Sequence, residues 1–484
     1  MLSESVIDWK GHGRRRSAHW NGVAEWHGGH RSWGGYYHRR LIEVYRNIIP
    51  EGSRVLEIGS GTGGLLAGLK PSAGLGIDFS MQMVEAARHG HPGLRFECAD
   101  AHDLSAVIQD DRELFDWVIL SDLLNDVWDV QAVLEQARRA CTPSGRVVVN
   151  VYSHLWEPLL KTVRAIGLAP PALEQSWLTL ADVRQLMELS GLDLVRSWQE
   201  ILLPLEIPAL APLANRYLAR LPGMRWLNLT NVMVARQTPR AAVAAPHRVS
   251  VVVPARNEAG NIPDVLRRIP EMGDGTEIIF VEGGSADGTY EAIQAVIAAN
   301  RHRNCKLLRQ IGTGKGDAVR AGFAVASGDV LMILDADLSV MPEDLPRFYE
   351  AINSGLGDFI NGVRLVYPMD DQAMRFFNLV GNKFFSAAFS WLLGQPIKDT
   401  LCGTKVLWRH DYALIAANRS YFGDFDPFGD FDLLFGAARM SRRIVDLPVR
   451  YRARTYGETN IQRWRHGMIL LAMVIFAARR HKFI

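Results

Sequence analysis

Asp335-Ala336-Asp337 sets two carboxylates one residue apart, directly after the apolar run from Val330 to Leu334. Hard oxygen donors at this spacing can hold a divalent cation, and that cation can clamp a diphosphate. A short apolar run ending abruptly in acids reads as a buried parallel strand. Ligands of open α/β sheets bind beyond the carboxyl ends of such strands. Asp-x-Asp alone is also a common solvated surface pair, so its neighbours must carry the argument.

Those neighbours repeat the pattern. Val249-Ser-Val-Val-Val-Pro-Ala-Arg-Asn-Glu258 is a β-branched strand stopped at Pro254, with Arg256 and Glu258 in the polar turn behind it. Glu277-Ile-Ile-Phe-Val-Glu282 is another, tipped by Glu282 and followed by a turn carrying Asp287. Gly312-Thr-Gly-Lys-Gly316 opens a helix behind a glycine turn and supplies Lys315. In the first half, Arg54-Val-Leu-Glu-Ile-Gly-Ser-Gly-Thr-Gly-Gly64 is a buried strand breaking into Gly59, Gly61 and Gly63. Glycines there let backbone N–H groups approach a ligand that side chains would block. Three further strands end at Asp78, Asp100 and Asp122, with Asp78 placed to accept from ribose hydroxyls and Asp100 from an adenine amino group.

Such turns need strands and helices in alternation to position them, and the chain supplies that alternation twice. At 484 residues it is too long for one ordinary core. Its 48% apolar content, 22% charged residues and net charge of +2 describe a globular protein, not a disordered one. Cys98, Cys141, Cys305 and Cys402 form no CxxC pair, which suits a reducing compartment and no zinc site. The N-terminus lacks the apolar core of a signal peptide. A small-residue, proline-bearing stretch at 238–248 reads as a linker. The expected organisation is therefore two tandem α/β domains, at 1–237 and 249–466, followed by a basic-flanked segment at 467–484.

The motifs of residues 35–236, in order, resemble the class I S-adenosylmethionine-dependent methyltransferases, implying a Rossmann-like sheet. By that resemblance Glu57 and Gly59 to Gly63 border the cofactor, Asp78 takes the ribose, Asp100 the adenine, and Asp122 faces the ligand from the fourth strand. Tyr36, Tyr37, His38, Asp122, Asn125 and Asp126 are candidate bases or substrate contacts. The aromatic and histidine cluster from Trp20 to His38 reads equally as a packed lid.

Residues 249–466 resemble family 2 glycosyltransferases of the GT-A fold, most of all those passing sugar from a nucleotide diphosphate to a polyprenyl phosphate. The resemblance puts Pro254, Arg256, Glu258, Glu282 and Asp287 around the nucleoside and Lys315 near the donor. It puts Asp335 and Asp337 on the diphosphate and its Mg²⁺ or Mn²⁺. The family's Asp-Asp-Gly-Ser turn is Glu282-Gly-Gly-Ser285 here, which leaves the nucleobase open. Asn361-Gly-Val-Arg364, Asp399-Thr-Leu-Cys-Gly-Thr-Lys405 and Phe428-Gly-Asp-Phe-Asp432 match acceptor-side motifs. A hydroxyl acceptor calls for Asp430 or Asp432 as base. A lipid phosphate is already anionic and calls for cations such as Arg364, Lys405, Arg452 and Arg454. Two superficial matches fail: Gly314-Lys315 lacks the other residues of a P-loop, and Gln462-Arg-Trp464 has the wrong spacing for processive synthases.

Gly467 to Ala478 is charge-free but too short for a span of about 20 residues. Its basic flanks fit a segment lying on an anionic cytoplasmic membrane face. The aromatic-rich stretch 376–393 is a candidate acceptor helix, and proline-broken 201–213 covers an acceptor pocket or the domain junction. Nucleic acid is not an expected partner. The expected function is a bifunctional enzyme, sugar transferase and methyltransferase, on a polyprenyl phosphate or membrane glycan. The alternative sends sugar to a protein or soluble saccharide, with a regulatory, non-catalytic S-adenosylmethionine-binding first half.

Overall fold

A computed structural model describes residues 9–27, 35–108, 114–165, 173, 175–239, 245–364, 376–419, 431–452, 456 and 463–483. The chain divides into two compact units, Met1–Thr238 with Phe483–Ile484, and Pro239–Lys482.

The first unit is a seven-stranded sheet. Its strands are β1 (Arg54–Ile58), β2 (Ala73–Asp78), β3 (Arg95–Cys98), β4 (Phe115–Ser121), β5 (Cys141–Tyr152), β6 (Leu192–Glu200) and β7 (Thr230–Gln237). Their order is β3-β2-β1-β4-β5-β7-β6. The first five pair parallel, whereas β7 runs antiparallel to both β5 and β6. Alternate strand residues enter opposite cores. Leu56, Ile58, Val118 and Leu120 join one cluster; Val55, Ile119 and Val148 join another. Burial on both faces is why these strands read as unbroken apolar runs.

The second unit repeats the device with β8 (Val249–Ala255), β9 (Thr276–Glu282), β10 (Asn304–Arg309), β11 (Val330–Ile333), β12 (Phe359–Val363), β13 (Lys405–Trp408) and β14 (Ile444–Pro448). The order is β10-β9-β8-β11-β13-β12-β14. Strands β10, β9, β8 and β11 are parallel; β13 is antiparallel to β11 and β12. Both sheets are thus mixed, where alternation alone predicts parallel ones. In each, the strand order reverses beside the first strand, at β1/β4 and β8/β11, and the loops part there.

The helix Arg463–Ala477 is two-faced. Leu470, Met473 and Ala477 are buried in a core cluster, while Met468 and Ile475 are 66% and 49% exposed. No helix among the described residues is long and apolar enough to cross a membrane.

The helix Lys315–Val325 lies against β8 at Gly322, where an added Cβ would stand 2.4 Å from Val252 Cγ1. Gly322→Ala should therefore lower stability. The gain of about 1 kcal/mol from helix propensity is outweighed by overpacking of about 1–3 kcal/mol. Urea midpoints in a double-mutant cycle with Val252→Ala should show favourable coupling of about 1 kcal/mol or more; additive effects would count against the contact.

Candidate functional site

In the first unit the register levels the ends of the strands, with Ile58 opposite both Ile77 and Leu120. Gly59 and Ser60 both donate N–H to Ile77 O, at 2.7 and 2.9 Å, folding the glycine loop back over β2. Gly59 has φ 77°, and its Cβ would meet Leu123, so only glycine fits there. Asp78 braces this loop: one carboxylate oxygen accepts from Gly61 N–H and the other from Ser80 N–H, each at 2.9 Å. Glu57 accepts Leu66 N–H at 3.0 Å, and its burial pushes the carboxyl up to about 8 against that hydrogen bond. Gly63 sits against the Phe96 ring at the same end of the sheet. Asp100 is half exposed and accepts from His102 N–H and His102 Nδ1 at 3.0 and 2.6 Å. His102 Nε2 takes Asp129 N–H, so Nδ1 carries the proton.

Asp122 follows β4 with φ 53°, a backbone conformation rare outside glycine. Tyr37 OH donates to both its oxygens, at 2.9 and 3.1 Å, and Asn150 Nδ2 donates at 2.6 Å. Tyr152 also bonds to it, and Tyr45 OH holds Asn150 from behind at 2.7 Å. Desolvation raises the Asp122 carboxyl to about 7 despite these donors. Asp122 therefore stands in a tyrosine cluster on the reversal side of the sheet. Asp126 is engaged by Arg16 and by Trp20 Nε1 at 2.7 Å, and Asn21 meets Ser80 Oγ at 2.5 Å. These contacts lay the helix Trp9–His27 over the strand ends as a lid. Asn125 is tied to Ser176 by backbone and side-chain hydrogen bonds.

In the second unit two turns interlock. Asn257, at φ 56°, donates N–H to Ser285 Oγ at 3.0 Å and accepts Ala286 N–H at 2.9 Å. Glu282 accepts Ser285 N–H at 2.5 Å, and buried Glu258 accepts Asn261 Nδ2 at 2.7 Å. Asp287 accepts from Ala259 and Thr289 N–H groups, Thr289 Oγ1 and Tyr456 OH. Burial alone would raise the Asp287 carboxyl, but these donors hold it below the usual range. Pro254 closes β8 half-buried and Arg256 is exposed beside it. Sequence reasoning missed Asn257, Tyr456 and, in the first unit, Asn150 and Tyr152. Asn150 was legible as the polar break in the apolar run of β5; Tyr456 had no local signal.

At the reversal beside β11, Asp335 Oδ1 lies 2.6 Å from Lys315 Nζ, and Asp337 Oδ1 accepts Ser339 N–H at 2.9 Å. Gly403 closes over the pair: its Cβ would stand 2.0 Å from Asp335 Oδ2 and 2.2 Å from Lys315 Nζ. A side chain at 403 would have to displace the Asp335 carboxylate or the Lys315 ammonium.

The acceptor-side residues are mostly interior. Arg364 donates through Nε and Nη2 to Asp399 at 2.7 and 2.9 Å. Burial would lower its pKa, but Asp399 raises it well above the ordinary value. Lys405 is fully buried and donates to Cys402 O. Both therefore brace the loop 399–405 instead of lining an open anion site. Asp432 is buried on the helix Phe431–Arg439, 3.4 Å from Arg419. Arg452 donates its backbone N–H to Ser339 O. Asp430 and Arg454 lie outside the described residues.

The comparisons fall on the same two halves. Residues 49–190 match the model of a methyltransferase domain, and 250–409 match glycosyl transferase family 2. The chain is 29% identical over 234 residues to an undecaprenyl-phosphate 4-deoxy-4-formamido-L-arabinose transferase of Aeromonas hydrophila, covering 47% of this chain and 65% of that relative's length. Among solved structures, glucosyl-3-phosphoglycerate synthase of Mycobacterium tuberculosis, bound to Mn²⁺, UDP and glucosyl-3-phosphoglycerate, is 20% identical. That match covers 49% of this chain and 80% of the other, with a TM-score of 0.36. An S-adenosylmethionine-dependent methyltransferase of Mesorhizobium loti is 19% identical, covering 40% and 96%, with a TM-score of 0.31. The chain carries a methyltransferase domain followed by a family 2 glycosyltransferase domain.

Asp122 generates a pH test. A carboxyl whose folded pKa exceeds its unfolded one stabilises the fold below the unfolded value and loses that contribution as pH climbs through the folded value. For Asp122 the window runs from its ordinary 3.8 to about 7. Relative to Asp122→Asn, the wild-type urea midpoint should fall across this window and level off above it. A difference independent of pH would mean that Asp122 titrates normally.

Proposed function

We propose that the chain is a bifunctional transferase. Its second unit passes a sugar from a nucleotide diphosphate, with inversion, to a polyprenyl phosphate. Its first unit binds S-adenosylmethionine and passes the methyl group to the same glycolipid or its precursor. The observation that carries the sugar-transfer reading is the Lys315–Asp335–Gly403 contact, an acid and a cation held where the strand order reverses, with Gly403 packed over them. The relative acting on undecaprenyl phosphate supports the acceptor.

Asp335 and Asp337 would hold a divalent cation, which neutralises charge on the departing nucleotide diphosphate. Among the described residues no group of three or more His, Cys, Asp or Glu side chains is placed to hold a metal ion. Two acid ligands therefore fit a cation whose other ligands come from diphosphate and water. Lys315, already beside Asp335, adds a donor for a phosphate oxygen. The interlocked turns at 257–261 and 282–289 wall the nucleoside, with Pro254, Arg256, Glu258, Glu282 and Asp287 around it. A phosphate acceptor attacks as an anion, so Asp432 can remain paired with Arg419. In the first unit Glu57, Gly59, Gly61 and Gly63 border the cofactor, Asp78 takes the ribose and Asp100 the adenine. Asp122, inside its tyrosine cluster, receives the proton of a hydroxyl acceptor as the methyl group moves in line. The exposed stripe of the helix Arg463–Ala477 rests on the anionic cytoplasmic membrane face.

Nucleotide release should depend on polyprenyl phosphate across a donor screen, and Asp337→Ala should lower it at least about 100-fold through loss of the cation clamp. Undiminished release after chelation and neutralisation of both aspartates would overturn the reading. Labelled methyl should enter the lipid-linked glycan fraction, rising as pH passes about 7 and lost in Asp122→Asn. No incorporation would leave the first unit a binding module.

A further inference from the structure

Between β6 and β7 the chain leaves the sheet at residues 201–229 and returns with its ends joined, Leu229 N–H donating to Ile201 O at 2.8 Å. Ile201 is β-branched and has φ 65°, an uncommon conformation imposed at the exit. The excursion is a built unit. Asn215 Oδ1 accepts Leu202 and Leu203 N–H groups, each at 2.8 Å, and its Nδ2 donates to Leu203 O and Tyr36 OH. Asn228 Nδ2 donates to Ala219 O at 2.7 Å, and Arg220 pairs with buried Glu200 at 2.9 Å.

Asn215, Arg220 and Asn228 thus point inward while several of its large apolar side chains point out. Leu210, Leu213, Leu218, Leu221 and Trp226 are 53%, 56%, 45%, 41% and 59% exposed. A polar interior beneath an aliphatic surface is the reverse of an ordinary loop. The segment holds Arg216, Arg220 and Arg225 against Glu206, three minus one, a net of +2. Glu206 is met by Arg39 at 2.7 Å; Arg216, though exposed, donates Nε to Phe483 O at 3.0 Å, and Arg225 is the other exposed basic side chain. The Arg225 guanidinium lies over the Trp226 ring, 4.9 Å from its centroid.

We propose that this excursion is an interfacial docking element for an anionic lipid bilayer. The leucines enter the acyl boundary, and Trp226 with Arg225 sits at headgroup level, where an amphipathic ring and a basic side chain both belong. With Glu206 paired to Arg39, the exposed charge left on the element is basic, which complements anionic headgroups. The element also touches the helix Gly35–Arg46 at Tyr36, the neighbour of the Tyr37 that holds Asp122. On the methyltransferase reading above, docking brings the acceptor end of that unit to the lipid surface, and the methyl acceptor is lipid-linked.

Hydrogen–deuterium exchange of the full chain separates this segment from the C-terminal helix. Vesicles of phosphatidylglycerol with phosphatidylcholine should slow exchange across 202–228, and phosphatidylcholine alone should do so much less. Leu213→Ser and Trp226→Ser, both at exposed positions, should each weaken vesicle binding about tenfold while S-adenosylmethionine affinity is retained. Exchange unchanged by vesicles, unchanged binding of the double variant, or protection that instead grows with protein concentration would each overturn the proposal. The last of these would identify a second copy as the occupant. Nucleotide release independent of polyprenyl phosphate would sink the sugar-transfer reading and leave docking standing.

Discussion

A parallel sheet covered on both faces can release its chain only at strand ends, and that constraint organises everything else here. Each sheet begins by laying its second and third strands on one side of the first and its fourth on the other. Between the first and fourth strands the connections diverge, leaving a gap lined by whatever residues end those strands. In the first unit these are Glu57, the glycine loop and Asp122; in the second they are Pro254, Glu258 and the Asp335–Asp337 turn. The antiparallel strand β7 widens the first sheet away from the gap, whereas β13 in the second brings the loop carrying Gly403 over it.

The loops at the gap are braced by carboxylates. Asp78 ties the glycine loop to the helix after β2, and Asp287 ties two turns and Tyr456 together. A carboxylate that accepts several N–H or O–H donors is stabilised in its charged form, so bracing and charge support each other. At Asp122, as at Asp78, desolvation outweighs the donors, and there it carries the carboxyl up to about 7. The contrast between Asp78 and Asp122 is one of surroundings: both carboxyls are raised, but only the second is ringed by tyrosine side chains.

Charge is disposed differently on the acceptor side of the second unit. Arg364 with Asp399, and Lys405 with Cys402 O, are interior contacts that shape the loop presenting Gly403. Breaking such a buried pair leaves an uncompensated charge. These residues consequently act on the Lys315–Asp335 tip through the backbone they hold.

Much of the fold was legible from residue order. The runs Val249–Val253 and Val330–Leu334 are too apolar for half-exposed strands, and their polar ends announced where ligands would be met. The acids Asp78, Asp122 and Asp335 were legible for the same reason, since residues at or just past a strand's end have a defined place. What lay beyond sequence were partners far apart in the chain. Nothing local tells that Tyr37 reaches Asp122, that Tyr456 reaches Asp287, or that Gly403 packs against Asp335. Nor does composition reveal that Arg364 and Lys405 are interior, or that Leu210, Leu213, Leu218 and Leu221 face outward above buried Asn215 and Asn228. Periodicity along a strand is a local property that residue types encode; which face meets which is decided only when distant segments pack.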